Sequence, residues 1–91
     1  MPDVHLPSTL RPLFAGLPRR LDVEAATVGD ALAELDRRWP GLRDRLCEPG
    51  PSSRLALRRH IHVYINGERA QLDAPLDAKA RVDVIAAISG G

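Results

Sequence analysis

Residues 27–41 read TVGDALAELDRRWPG, and they hold the one sustained helical period in the chain. Val28, Ala31, Leu32, Leu35 and Trp39 keep the 3.6-residue spacing, so they make one apolar stripe. Glu34, Arg37 and Arg38 fall off that stripe. Thr27 offers a side-chain oxygen where the first turn needs an acceptor, and Asp30 follows three residues later, a capping box with Asp in place of Glu. Pro40 and Gly41 stop the helix. One capped helix covers one face of a sheet, and the chain offers no second long helix to cover the other.

The flanking segments change period from 3.6 to 2. In DVHLP, residues 3–7, Val4 and Leu6 share a side and His5 takes the other, a short strand stopped by Pro7. STLRPLFAGLP, residues 8–18, is broken by prolines and a glycine and reads as a loop with Leu10, Leu13 and Phe14 as anchors. RRLDVEA, residues 19–25, alternates again with Leu21, Val23 and Ala25 on one face. After the helix, Leu42 and Leu46 stand four apart, as in one further helical turn. EPGPSS, residues 48–53, reads as an exposed, mobile loop. Ile61, Val63 and Ile65 alternate with His60, His62 and Tyr64 in a strand, and Asn66-Gly67 turns it into a short edge strand at ERAQL. Leu72 and Leu76 are placed to pack inward from the next connection. In RVDVIAAIS, residues 81–89, Val82, Val84, Ala86 and Ile88 share one face, while Arg81, Asp83, Ile85 and Ala87 share the other. Its later half is apolar on both faces, which suits a central strand.

The order is strand, strand, helix, strand, short strand, strand. With the first and last strands adjacent and parallel, this is an α+β β-grasp, the ubiquitin-like roll, in a single domain over residues 1–91. A ferredoxin-like sandwich is the alternative, but it needs two good helices. The core must be built from Leu, Val, Ile and Ala, because Phe14, Trp39 and Tyr64 are the only aromatics.

Charge and cysteine usage narrow the functional classes. Thirteen basic and twelve acidic residues leave a formal charge of +1, so no global field draws nucleic acid or an anionic membrane. The arginine pairs 19–20, 37–38 and 58–59 lack the interleaved aromatics of a nucleic-acid platform. The single cysteine, Cys47, suits a reducing cytoplasm. The opening residues MPDVHLPS have neither the basic nor the apolar region of a signal peptide, and no stretch approaches the length needed to span a bilayer.

Chemistry-bearing constellations are few. His60 and His62 lie two apart on a strand, and a metal shared with Asp83 or Glu68 is one reading; a solvated sheet face is the ordinary one. Cys47 has no base beside it in sequence and reads as a structural thiol at a helix end. No glycine-rich phosphate loop is present, since Gly41, Gly50 and Gly67 are isolated turn residues. That leaves Ser89, Gly90 and Gly91, directly after the last strand. A terminal Gly-Gly arises by chance in roughly one chain in 200. Glycines without Cβ let a bare peptide enter a narrow channel. The only reactive group at the tip is the Gly91 carboxylate, ionised and a poor electrophile until an agent such as ATP adenylates it.

The helix TVGDALAELDRRWPGL, the strand-turn HVYINGE and the ending VDVIAAISGG together resemble the prokaryotic ubiquitin-like sulfur carriers. These include the thiamine sulfur carrier, the small subunit of molybdopterin synthase and the cysteine-biosynthesis carrier. LPSTLRP and IHVYINGE are closer to the cysteine branch, as is the length of residues 43–57. The resemblance implies a covalent carrier rather than an enzyme, with no bound cofactor. An E1-like adenylyltransferase would use ATP to activate Gly91, and a donor would convert the adenylate to a thiocarboxylate. The acceptor would be a PLP-dependent cysteine synthase, followed by a metalloprotease, or else the large subunit of molybdopterin synthase. A protein modifier joined to lysines, and a non-covalent binding module, are the other readings. The expected docking face carries His62, Tyr64, Ile85 and Ala87, with Arg58 and Arg59 at its rim.

Overall fold

The computed structural model describes residues 1–87. Its strands are β1 (Asp3–His5), β2 (Arg20–Asp22), β3 (Cys47–Pro49), β4 (Leu55–Leu57), β5 (Ile61–Ile65), β6 (Glu68–Ala70) and β7 (Arg81–Ala86). Its α-helices are α1 (Val28–Arg38) and α2 (Leu42–Leu46). Five strands make one mixed sheet in the order β2-β1-β7-β5-β6. β1 lies parallel to β7, with Asp3 opposite Arg81, Val4 opposite Val82 and His5 opposite Asp83. The other pairings within that sheet are antiparallel. This is the β-grasp that the order of periods predicts.

The alternation places the core. Val4, Ile61, Val63, Val82 and Val84 are buried on the inner face, where Val28, Ala31, Leu32 and Leu35 of α1 meet them. Leu42 and Leu46 of α2 are also fully buried. Each such side chain stabilises the fold by about 1.5–3 kcal/mol relative to exposure. Ile65, Leu72, Leu76 and Ala86 are half-buried against the same cluster.

Local chemistry fixes the ends of α1. The Thr27 hydroxyl accepts from the Asp30 amide at 3.1 Å. Two more first-turn amides find partners on the connection before β7: Val28 N–H donates to the Ala74 carbonyl at 3.1 Å and Gly29 N–H to Leu72 at 2.8 Å. A Cβ at position 29 would stand 3.3 Å from that Leu72 oxygen, so any side chain there would push the Leu72 backbone back by a few tenths of an ångström. At the other end the Trp39 indole N–H donates to the Ala15 carbonyl at 3.1 Å, which ties the β1–β2 connection to the helix. Asn66 and Gly67 both have positive φ, 50° and 88°, the geometry of a two-residue turn matched to strand twist.

Three readings of the sequence change. Residues 48–53 are exposed for the most part, as expected, but they are not a free loop: β3 pairs antiparallel with β4 as a separate ribbon, Cys47 opposite Leu57. The prolines and glycine hid this pairing, because the strands are only three residues long. The β1–β2 connection contains a 3-10 helix, Ser8–Leu13. Leu10 within it is buried and Phe14 just after it is half-buried, but Leu13 is 50% exposed and anchors nothing. Leu17 is the buried residue that the sequence reading passed over.

Two outcomes follow for stability. Leu35→Ala removes a fully buried side chain beneath the sheet and is expected to cost about 2–5 kcal/mol, whereas Leu13→Ala should stay within about 0.5 kcal/mol, both read from chemical denaturation. Glu34 accepts from Arg37 at 2.6 and 3.0 Å and from Arg38 at 2.9 Å, which holds its carboxyl down at about 2. Its folded value lies below its unfolded one, so its stabilisation is present above the ordinary carboxylate range and is lost as pH falls toward about 2. Glu34→Gln should therefore flatten part of the acid limb of a stability–pH curve; an unchanged limb would show that solvent screens the pair completely.

Candidate functional site

The ladder between β5 and β7 sets the geometry of the tail end of the sheet. Ile61 pairs with Ala86, His62 with Ile85, and Tyr64 with Asp83. One residue further, the Ala87 amide donates to the His60 carbonyl at 2.7 Å. β5 thus holds β7 as far as Ala87, whereas β1 pairs with it only through Asp83. Ser89, Gly90 and Gly91 lie outside the described residues.

Register divides the outer face into two zones. Far from the tail it is charged: Arg20 stands opposite His5, His5 opposite Asp83, and Arg69 opposite Tyr64. His5 Nε2 lies 2.9 Å from the Asp3 carboxylate, and that contact is the largest cause holding the Asp3 carboxyl below its ordinary value. Arg81 and Asp83 pair along β7 at 3.1 Å. Near the tail the face turns apolar. Ile85 is 45% exposed, Ala87 is exposed and His62 is half-buried opposite Ile85, while half-buried Tyr64, opposite Asp83, stands at the boundary between the zones. The Nδ1 atom of His62 is buried, with no hydrogen-bond partner among the described residues.

The two arginines expected at the rim part company. Arg59 is exposed in the turn before β5. Arg58 is turned to α2 instead: its guanidinium donates to the Asp44 carbonyl at 3.0 and 2.8 Å and lies 3.7 Å from Glu48. The last turn of the short α2 leaves carbonyls without a helical partner, and Arg58 satisfies that of Asp44. Sequence alone gave no reason to expect this, because it depends on the β3–β4 ribbon bringing residue 58 back to α2.

The other candidates resolve in place. His60 is exposed in the turn, and among the described residues no group of three His, Cys, Asp or Glu side chains is gathered to hold a metal ion. Cys47 is buried at the end of α2, and burial pushes its thiol up, away from the reactive thiolate. No helix among the described residues is long and apolar enough to cross a membrane.

Known proteins share this architecture over its whole length. The chain is 27% identical to the sulfur carrier protein CysO of Mycobacterium tuberculosis, across 97% of this chain and 96% of the relative. Among solved structures, the Amycolatopsis orientalis BexX/CysO complex contains a chain that superposes with a TM-score of 0.84 at 25% identity, covering both chains fully. The small archaeal modifier protein 1 of Haloferax volcanii superposes with a TM-score of 0.70 at 33% identity, covering 99% of this chain and 98% of that one. These relatives are named carriers and modifiers, not enzymes. The ThiS family model matches residues 4–91, and the chain belongs to the ThiS family.

Proposed function

We propose that this protein carries sulfur as a thiocarboxylate on Gly91, for cysteine biosynthesis. The observation that carries the reading is the ThiS family match, which runs through Gly90 and Gly91. The similarity to a protein named as a sulfur carrier supports it.

The chemistry needs two displacements. On an E1-like partner, a Gly91 carboxylate oxygen attacks the α-phosphorus of ATP and pyrophosphate leaves, giving an acyl adenylate. A sulfide-level donor then attacks the carbonyl carbon through sulfur and AMP leaves with one carboxyl oxygen, so that sulfur takes its place. ATP is used by the partner and is not a cofactor of this chain. The thiocarboxylate sulfur replaces the leaving group of an activated serine derivative on a PLP-dependent cysteine synthase, the Gly91 acyl group shifts from sulfur to the amine of the new cysteine, and a metalloprotease hydrolyses that amide to free cysteine and the Gly91 carboxylate. Carrying sulfur on a protein lets docking surfaces select the recipient, because specificity is a difference of affinities. The apolar zone around Ile85, with His62, Tyr64 and Ala87, is the proposed docking face, and Arg59 flanks it.

A second reading is favoured by the similarity to the small archaeal modifier protein: the same activated carboxyl joins to lysines of other proteins. Intact mass after incubation with ATP, an E1-like enzyme and a sulfur donor separates the two. The carrier reading expects the mass change of one oxygen replaced by sulfur, confined to a C-terminal peptide. Gly91-linked adducts on partner lysines without that change support the modifier and overturn the carrier.

A further inference from the structure

The chain has twelve arginines but a single lysine, Lys79. The two cations differ where an activated carboxyl is present. A guanidinium stays protonated and does not attack acyl groups, whereas a lysine amine that has lost its proton is a nucleophile. The other side chain of comparable reactivity, the Cys47 thiol, is only 4% exposed.

Lys79 is exposed in the turn that leads into β7. The turn is pinned. The Lys79 amide donates to the Asp77 carboxylate at 2.8 Å, Ala80 is buried at 1%, and the Asp3 amide donates to the Ala80 carbonyl at 2.9 Å. Lys79 therefore sits at the start of β7, and the tail leaves from the other end. From Arg81 to Ala87 an extended chain covers about 20 Å at 3.3 Å per residue. Four residues of any conformation span at most about 14 Å, so a tail laid straight back stops about 6 Å short, before the two further residues to Lys79. Only a fully stretched lysine meeting a fully stretched tail would close that gap, at a heavy cost in chain entropy.

We propose that Lys79 is the acyl-acceptor site of this chain: the side-chain amine that can take the activated Gly91 carbonyl, and placed so that a second copy presents that carbonyl without the entropic cost of stretching its own tail. This rests on the reading that Gly91 is activated as an acyl group. In the step, the Lys79 Nζ lone pair attacks the carbonyl carbon of the acyl adenylate. A C–N bond forms, the C–O bond to AMP breaks, AMP leaves, and the amine proton passes to water. The product is a head-to-tail dimer, which Lys79 of the free end can extend. Keeping every other basic side chain as arginine protects the activated tail from capture within its own molecule.

The test uses the full chain bearing a C-terminal mercaptoethanesulfonate thioester in place of the adenylate, so it needs no activating enzyme and stands apart from the test of sulfur carriage. Across a dilution series near pH 8, the amide dimer should form at a rate rising with the square of concentration, and peptide mapping should place the bond at Lys79. Lys79→Arg should abolish it. Arg59→Lys moves an amine next to the His60–Ala87 contact and should instead give a cyclised monomer at a concentration-independent rate. A cyclised wild-type monomer joined at Lys79, a dimer surviving Lys79→Arg through the Met1 amine, or no lysine-linked dimer at all would overturn the proposal.

Discussion

The parallel pairing of β1 with β7 is the contact on which the rest of the molecule depends. A parallel neighbour cannot be reached by a tight turn. The chain must cross over, and in doing so it lays α1 across one face of the sheet. Three residue pairs, Asp3 with Arg81, Val4 with Val82 and His5 with Asp83, fix the register. A slip by one residue would turn Val82 and Val84 to solvent and bring Arg81 and Asp83 under the helix. The same pairing sets polarity, since the β7 start lies beside the start of β1 and its end points away.

That polarity gives the two ends of β7 different work. At its start the backbone is held by Asn66, Ala80 and the Asp77 turn, and the outer face carries paired charges. At its end the charges stop and Ile85 and Ala87 stand exposed beside His62. Under the proposed function, a partner that closes over this apolar zone would also exclude water from the Gly91 carboxyl as it is activated. The arginine-rich surface fits the same picture, supplying charge without nucleophiles.

Much of this was legible in the sequence because it depends on period. The α1 stripe, the cap at Thr27, the Asn66-Gly67 turn and the alternation in β5 and β7 each name a local rule, and the sheet order follows from one helix and five strands. What escaped was short or depended on distant contacts. β3 and β4 are three residues each and flank prolines, too brief for alternation to register. Arg58 satisfies a carbonyl of α2 that only the folded ribbon brings near, and the Trp39 indole finds Ala15 across the molecule. The proposed docking face was legible as an alternation of residues; its division into charged and apolar zones needed the register of five strands at once.

The most direct test of the account is ATP–pyrophosphate exchange by an E1-like enzyme with this chain as the acceptor. The account predicts exchange that vanishes when residues 90–91 are removed and that Ile85→Arg weakens by raising KM, while both variants keep the wild-type melting temperature. Exchange that persists without Gly90 and Gly91 would contradict it.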